Sequence, residues 1–272
     1  MKEQTTWSII LGEDELYLLA GMLQTGSLIG VQDPFLGFLA DEVEERLEQA
    51  KKSLSDQGYL RERPGEELVL DSGIAAMVKA ITSAQRMLVA SLSLDRHTSH
   101  YLVHFAPDIV VEQAVLPSGV IALAAMRDAQ VLKERLEDFF SLSDATETAA
   151  STAPLTLSET DFAEVQRLAQ ENGKALHALL SQRNVPPQAI PALTAALAEG
   201  QHMISLTVLY RDEQELRYGE NLTWLVGSQG VWHIQPLEQD QAAAVRLTPT
   251  TMAKVHQRIT QVVATLYREI KL

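Results

Sequence analysis

Three histidines fall within eight residues of one another in HTSHYLVHF, at 97, 100 and 104. Imidazoles at such density could hold a metal ion or shuttle a proton, so chemistry is sought here first. The alternation of the flanking residues is that of a strand. It sends His100 and His104 to one face, about 13 Å apart along the chain, and leaves His97 in the turn before them. That separation is too large for both to ligate one ion, and we expect structural or surface histidines and no metal site. A second concentration is NLTWLVGSQGVWHIQPL, residues 221 to 237, with two of the three tryptophans and one of the seven histidines. It reads as a hairpin, and Ser228-Gln229-Gly230 suits a three-residue loop whose last position is left-handed and wants glycine. That register places Leu222, Trp224, Val226, Trp232 and Ile234 on one apolar face, and Thr223, Leu225, Val231, His233 and Gln235 on the other. A joint Trp-His ligand site is then not expected. The five apolar residues become the candidate partner-binding set if helices leave their face open.

Little else points to catalysis. The sequence contains no phosphate loop, nucleophile elbow, helical zinc-protease motif or dinucleotide-binding glycine fingerprint. Glu112, inside IVVEQAVL, comes nearest to a carboxylate in an apolar setting, but a strand with one wet face accommodates it. Zero cysteines remove thiol catalysis, disulfides and thiolate metal sites together. We therefore expect no catalytic residue, no cofactor and no metal.

The elements that must position these residues follow from periodicity and punctuation. The run EDELYLLAGML at 13 to 23 is helical. Asp41 can cap a helix over VEERLEQAKKSLSDQ that stops at Gly58, YLRERPGEELVL offers two short strands around Pro64-Gly65, and Asp71 caps a third helix from Ser72 to Gln85. Residues 13 to 85 thus outline a winged helix. Strands near 87 to 94, 100 to 106, 109 to 116 and 120 to 127 form a meander, followed by a helix capped by Asp128. In SDATETAASTAPLT, 143 to 156, 11 of 14 residues are Ser, Thr, Ala or Pro, which reads as a linker. From Ser158 follows one helix or a pair broken around Gly173, with another from about Gln188 to Glu199. Strands return at 202 to 211, 215 to 226, 231 to 238 and 243 to 247, and Pro249 opens a last amphipathic helix.

Residues 72 to 142 and 189 to 270 repeat one order: helix, four strands, long helix. The expected class is α+β: an antiparallel sheet from two α-β-β-β-β-α halves related by a pseudo-two-fold, with helices packed on one face or at the ends. The divisions are 1 to 142, the linker 143 to 156, and 157 to 272, or one merged domain.

A net charge of −14, from 36 acids against 22 bases, repels phosphate backbones. Residues 38 to 67 alone hold nine acids and five bases, the wrong sign for a helix entering a DNA groove. No nucleic-acid partner is expected. The apolar run VIALAAM, 120 to 126, falls far short of the about 20 residues a membrane helix needs, and MKEQTTWSIILGEDE is no signal peptide. A cytoplasmic protein without membrane contact is expected.

With these elements in place, the chain resembles the EspG-type chaperones of type VII (ESX) secretion systems. The likeness lies in SLSDQGYLRERPGEELVLDSGIAAMVKAI, and in ALAEGQHMISLTVLYR followed by NLTWLVGSQGVWHIQPL and the closing helix. It implies a cytosolic, non-catalytic chaperone or adaptor that binds a helical secretion substrate and keeps it soluble. The linker at 143 to 156 departs from the family's pattern. The alternative is a winged-helix regulator whose sheet senses a ligand or dimerises.

Overall fold

The computed structural model describes residues 7–26, 28–61, 68–94, 97–116, 119–142, 153–198, 202–212, 215–239 and 242–270. The first run of elements is β1 (Ser8–Leu11), α1 (Glu13–Met22), α2 (Ala40–Asp56), β2 (Leu60–Arg61), β3 (Val69–Leu70), α3 (Ser72–Ser83), β4 (Arg86–Leu94), β5 (His97–Ala106), β6 (Ile109–Val115), β7 (Ile121–Met126) and α4 (Ala129–Phe139). The second is β8 (Leu155–Ser158), α5 (Glu159–Glu171), α6 (Gly173–Gln182), α7 (Ile190–Ala198), β9 (His202–Asp212), β10 (Glu215–Gly227), β11 (Gly230–Gln239), β12 (Ala242–Thr250) and α8 (Met252–Glu269).

The fold is α+β around one ten-stranded antiparallel sheet, in the order β1-β7-β6-β5-β4-β9-β10-β11-β12-β8. The order reads alike from both ends: each meander runs outward from the centre, and a short strand from the start of its own run closes its edge. The two meanders meet where β4 pairs with β9, from Arg86↔Tyr210 to Ser93↔Met203.

Helices cover both faces, where one face or the ends had been expected. On the first face α4 and α8 bury Leu88, Val103, Phe105, Leu206, Val208 and Trp224. On the second, α1 to α3 cover Val111, Ile121 and Leu123 at one end, while α5 to α7 cover Leu225, Trp232 and Ile234 at the other. Outer strands are apolar on both sides, as in Val110-Val111 and Trp224-Leu225, so two helical layers are needed to dry them.

The tryptophan hairpin has a different loop from the expected one. Gly227 pairs with Gly230 and Val226 with Val231, so only Ser228 and Gln229 form the turn. Gly230 supplies a positive φ of 153° from within the strand, while neither turn residue has a positive φ. Shortening the loop by one residue moves all of β11 to the opposite face. The reason is the second helical layer. With both faces dry, one tryptophan serves each core, whereas the three-residue register would have turned His233 and Gln235 into the core that Trp232 and Ile234 fill.

Four local readings change as well. Pro249 lies in β12 opposite Trp232, and α8 begins after an N-cap at Thr251. The outer neighbour β8 pairs only with residues 244 to 247, so the missing N–H of Pro249 costs no rung. The N-cap of α2 is Leu39, with Glu42 accepting from its N–H at 2.8 Å, in place of Asp41. A leucine there forgoes the about 1 kcal/mol that a capping side chain supplies. Leu155 and Thr156, assigned to the linker, belong to β8. His97 lies in β5 opposite Leu94 and not in a turn. The Pro64-Gly65 turn and linker residues 143 to 152 fall outside the described residues.

Gly227 lets α7 approach the hairpin, since a Cβ there would stand 2.5 Å from the Ala196 Cα. Backbone cannot yield as a flexible side chain can. Gly227→Ala is expected to destabilise the chain by about 1 to 3 kcal/mol, seen as a lower urea midpoint at unchanged slope.

Candidate functional site

The sheet's second face is not dry throughout. Here α3 packs on β5, β6 and β7, while α7 packs on β10 and β11. Between them the cross-strand rows are His100–Ser91–Ser205–Thr223, Thr98–Ser93–Met203–Leu225 and Leu102–Val89–Thr207–Asn221. On the other face the same strands carry Leu88, Ala90, Ile204 and Leu206, all buried. Hydroxyls replace aliphatics where helices stop covering the strands, because an uncovered strand face must be solvated.

These hydroxyls bond polar side chains on the neighbouring strands. Ser91 Oγ lies 2.9 Å from His100 Nδ1, Ser93 Oγ lies 2.9 Å from Thr98 Oγ1, and the Thr207 hydroxyl donates to Asn221 at 3.3 Å. A serine–histidine contact is the pair a hydrolase uses, but here it is exposed, and among the described residues no carboxylate orients His100. The arrangement is a polar sheet floor and lacks the third member of a catalytic group.

Beside this floor opens a cleft of about 550 Å³, with Val89, His100 and Leu102 below and Ile29, Gly30, Val115 and Leu116 as walls. The 29–30 wall is set by a close approach: Gly30, at φ 76°, would place a Cβ 3.0 Å from Leu102. A buried relay fastens it. Gln113 Nε2 donates to the Ile29 carbonyl at 3.1 Å, and its Oε1 lies 2.9 Å from His104 Nε2. Because the amide oxygen only accepts, His104 must carry its proton on Nε2; its Nδ1 is buried without a partner among the described residues.

The residues singled out in the sequence are dispersed. His97 and His100 are exposed and His104 is fully buried, so the three do not converge. Glu112 accepts from Tyr101 at 2.7 Å and pairs with Arg135 on the α4 face. Burial followed by the Glu112 charge holds the Tyr101 hydroxyl far above the usual phenol range. Leu222, Trp224 and Val226 lie in the α4–α8 core, whereas Trp232 and Ile234 lie in the α5–α7 core. Their shared face is thus corrected to two faces, and all five are at most 9% exposed in the free chain. His233 sits opposite Trp224, with ring centroids 5.9 Å apart, and burial with the nearby Arg258 charge lowers its pKa.

The groove itself was not visible in the sequence. Its signal was the hydroxyl spacing in VASLS and ISLTV, an alternating Ser/Thr face opposite an aliphatic one.

Fold and groove together define a class: an α+β protein whose helix-covered sheet is open at the centre of one face, with a cleft over β4 to β6 beside that opening. No family model matches the chain, and no curated protein does. Among solved structures, the type VII secretion system chaperone EspG5 of Mycobacterium tuberculosis, determined in complex with a PE25-PPE41 dimer, is similar. The TM-score is 0.65 over 96% of each chain, at 13% identity. The architecture is therefore EspG-like. Among the described residues no helix is long and apolar enough to cross a membrane.

Burial pushes the His104 imidazole down to about 4, against a partial lift from Gln113. The unfolded chain takes this proton near pH 6.5 and the folded chain only near 4, so the unfolded state binds more protons in between and stability falls as pH drops through that window. Urea titration is expected to show about 2 to 3 kcal/mol lost between pH 7 and about 4.5 on this account. The pH dependence should flatten by that amount in His104→Gln.

Proposed function

We propose that the chain is a non-catalytic, EspG-like chaperone or adaptor that binds a helical protein partner in the cytosol and keeps it soluble for export. The observation that carries this reading is the uncovered centre of the second sheet face, in a fold that resembles a secretion chaperone along its whole length. An apolar-walled cleft of about 550 Å³ beside the hydroxyl floor is large enough for a few side chains at the tip of a helical hairpin. The hydroxyls of the adjoining floor can satisfy the carbonyls left unpaired where that hairpin turns. Docking would dry Val115, now 48% exposed, and the half-buried Val89.

The regulator reading draws no comparable support. Asp41, Glu42, Glu44, Glu45 and Glu48 on α2 are all exposed, and their field opposes any phosphate backbone.

The test is co-expression with the helical secretion substrates of the native host, followed by size-exclusion chromatography with light scattering. One stoichiometric complex is expected, and Val115→Asp combined with Thr98→Arg should weaken it at least tenfold without lowering the urea midpoint. Substituting Tyr218→Ser, an 82% exposed tyrosine outside the cleft, should leave it intact. Equal affinity in the cleft variant, or no complex with any helical substrate, overturns the reading.

A further inference from the structure

The segment DPFLGFLADE, 33 to 42, holds three apolar side chains out in solvent: Leu36 is 83% exposed, Leu39 68% and Phe38 47%. A floppy loop could do this by default, but this one is fastened at several points. Arg46 Nε and Nη2 donate to Asp14 at 2.9 and 2.7 Å, and Nη1 donates to the Pro34 carbonyl at 2.9 Å. The same guanidinium lies 4.6 Å from the centre of the Phe38 ring and 5.5 Å from that of Phe35. Phe35 in turn meets Tyr17 edge-on at 6.0 Å. Gly37, at φ 90°, makes the turn, and Asp33 accepts from the Phe35 N–H at 2.9 Å. The leucines are therefore held out by a braced scaffold, so little ordering entropy is left to lose when a partner covers them. Leu39 also occupies a helix N-cap, where a leucine does nothing for the helix.

Charge selects the partner. Residues 33 to 50 hold Asp33, Asp41, Glu42, Glu44, Glu45 and Glu48 against one base, Arg46, which is spent on Asp14. We infer that this loop is a second docking point, outside the cleft, whose leucines pack on the apolar stripe of a basic amphipathic helix while the acidic rim meets its lysines or arginines. A second copy of this chain would bring acidic rim against acidic rim at a net charge of −14 each. An anionic lipid surface is disfavoured by the same repulsion.

The probes are two synthetic amphipathic helices of equal length, one of leucine and lysine, the other of leucine and glutamate. Binding is read by fluorescence anisotropy against the full chain, the double variant Leu36→Ser with Leu39→Ser, and Val115→Asp. The lysine helix is expected to bind with an affinity that weakens with salt, and at least tenfold less tightly to the double variant, whose charge and urea midpoint are unchanged. Val115→Asp should bind it normally, which separates this site from the cleft. Equal binding by the double variant would mean bulk charge attraction and overturns the inference. Equal binding of the glutamate helix, binding of neither helix, or self-association that the double variant abolishes overturns it too.

Discussion

The antiparallel ladder between β4 and β9 is what the rest of the molecule rests on. Strands from two separate runs of chain pair there rung for rung, from Arg86↔Tyr210 to Ser93↔Met203, so a single sheet crosses the whole protein. Each meander alone would expose a long inner edge of unpaired N–H and C=O groups; the junction pairs both edges at once. It also sets the spacing of the helical layers. Those layers sit over the outer strands on the second face, and the seam between them is the groove.

The two faces answer differently to the same backbone. On the first, α4 and α8 cover the junction, and its middle positions Leu88, Ala90, Ile204, Leu206 and Val208 are all aliphatic, with Arg86, His202 and Tyr210 only towards the ends. On the second, coverage comes in two parts, and the residues between the parts are Ser91, Ser93, Ser205 and Thr207. Had those been valines, the open seam would be an apolar strip inviting indiscriminate association. Hydroxyls bonded to polar neighbours, Ser91 to His100, Ser93 to Thr98 and Thr207 to Asn221, keep it wet, while Val89, Leu102 and Val115 retain enough apolar area beside it to favour a specific occupant.

Much of the fold was legible because its signals are local. Strand alternation and the Asp71 and Asp128 caps depend on near neighbours, and each stands where the sequence places it; of the two readings open at Gly173, one helix or a broken pair, the structure has the pair. Failures came where distant chain decides. The register of β10 and β11 turns on whether the second face is covered, which only the packing of α5 to α7 determines. The edge strand β8 looked like linker because LTLS is too short to stand without β12. The groove was illegible for a related reason: serine in a strand marks an uncovered face only once the helices are known to part above it. The clamp of Arg46 on Asp14 joins residues 32 apart, and no local pattern announces it.

The edge strands bear on how the chain is made. β1 is synthesised ahead of the other elements of its run, yet its partner β7 begins only at Ile121, and β8 likewise waits for β12, which begins at Ala242. Both borders of the sheet are therefore sealed late in each run, by segments that must return across a long stretch of already synthesised chain. Until each return is made, β7 and β12 present open ladders to the crowded medium, and a nascent neighbour could pair in their place. The four-residue length of each closing strand keeps that interval short, since few rungs have to register before the border is shut.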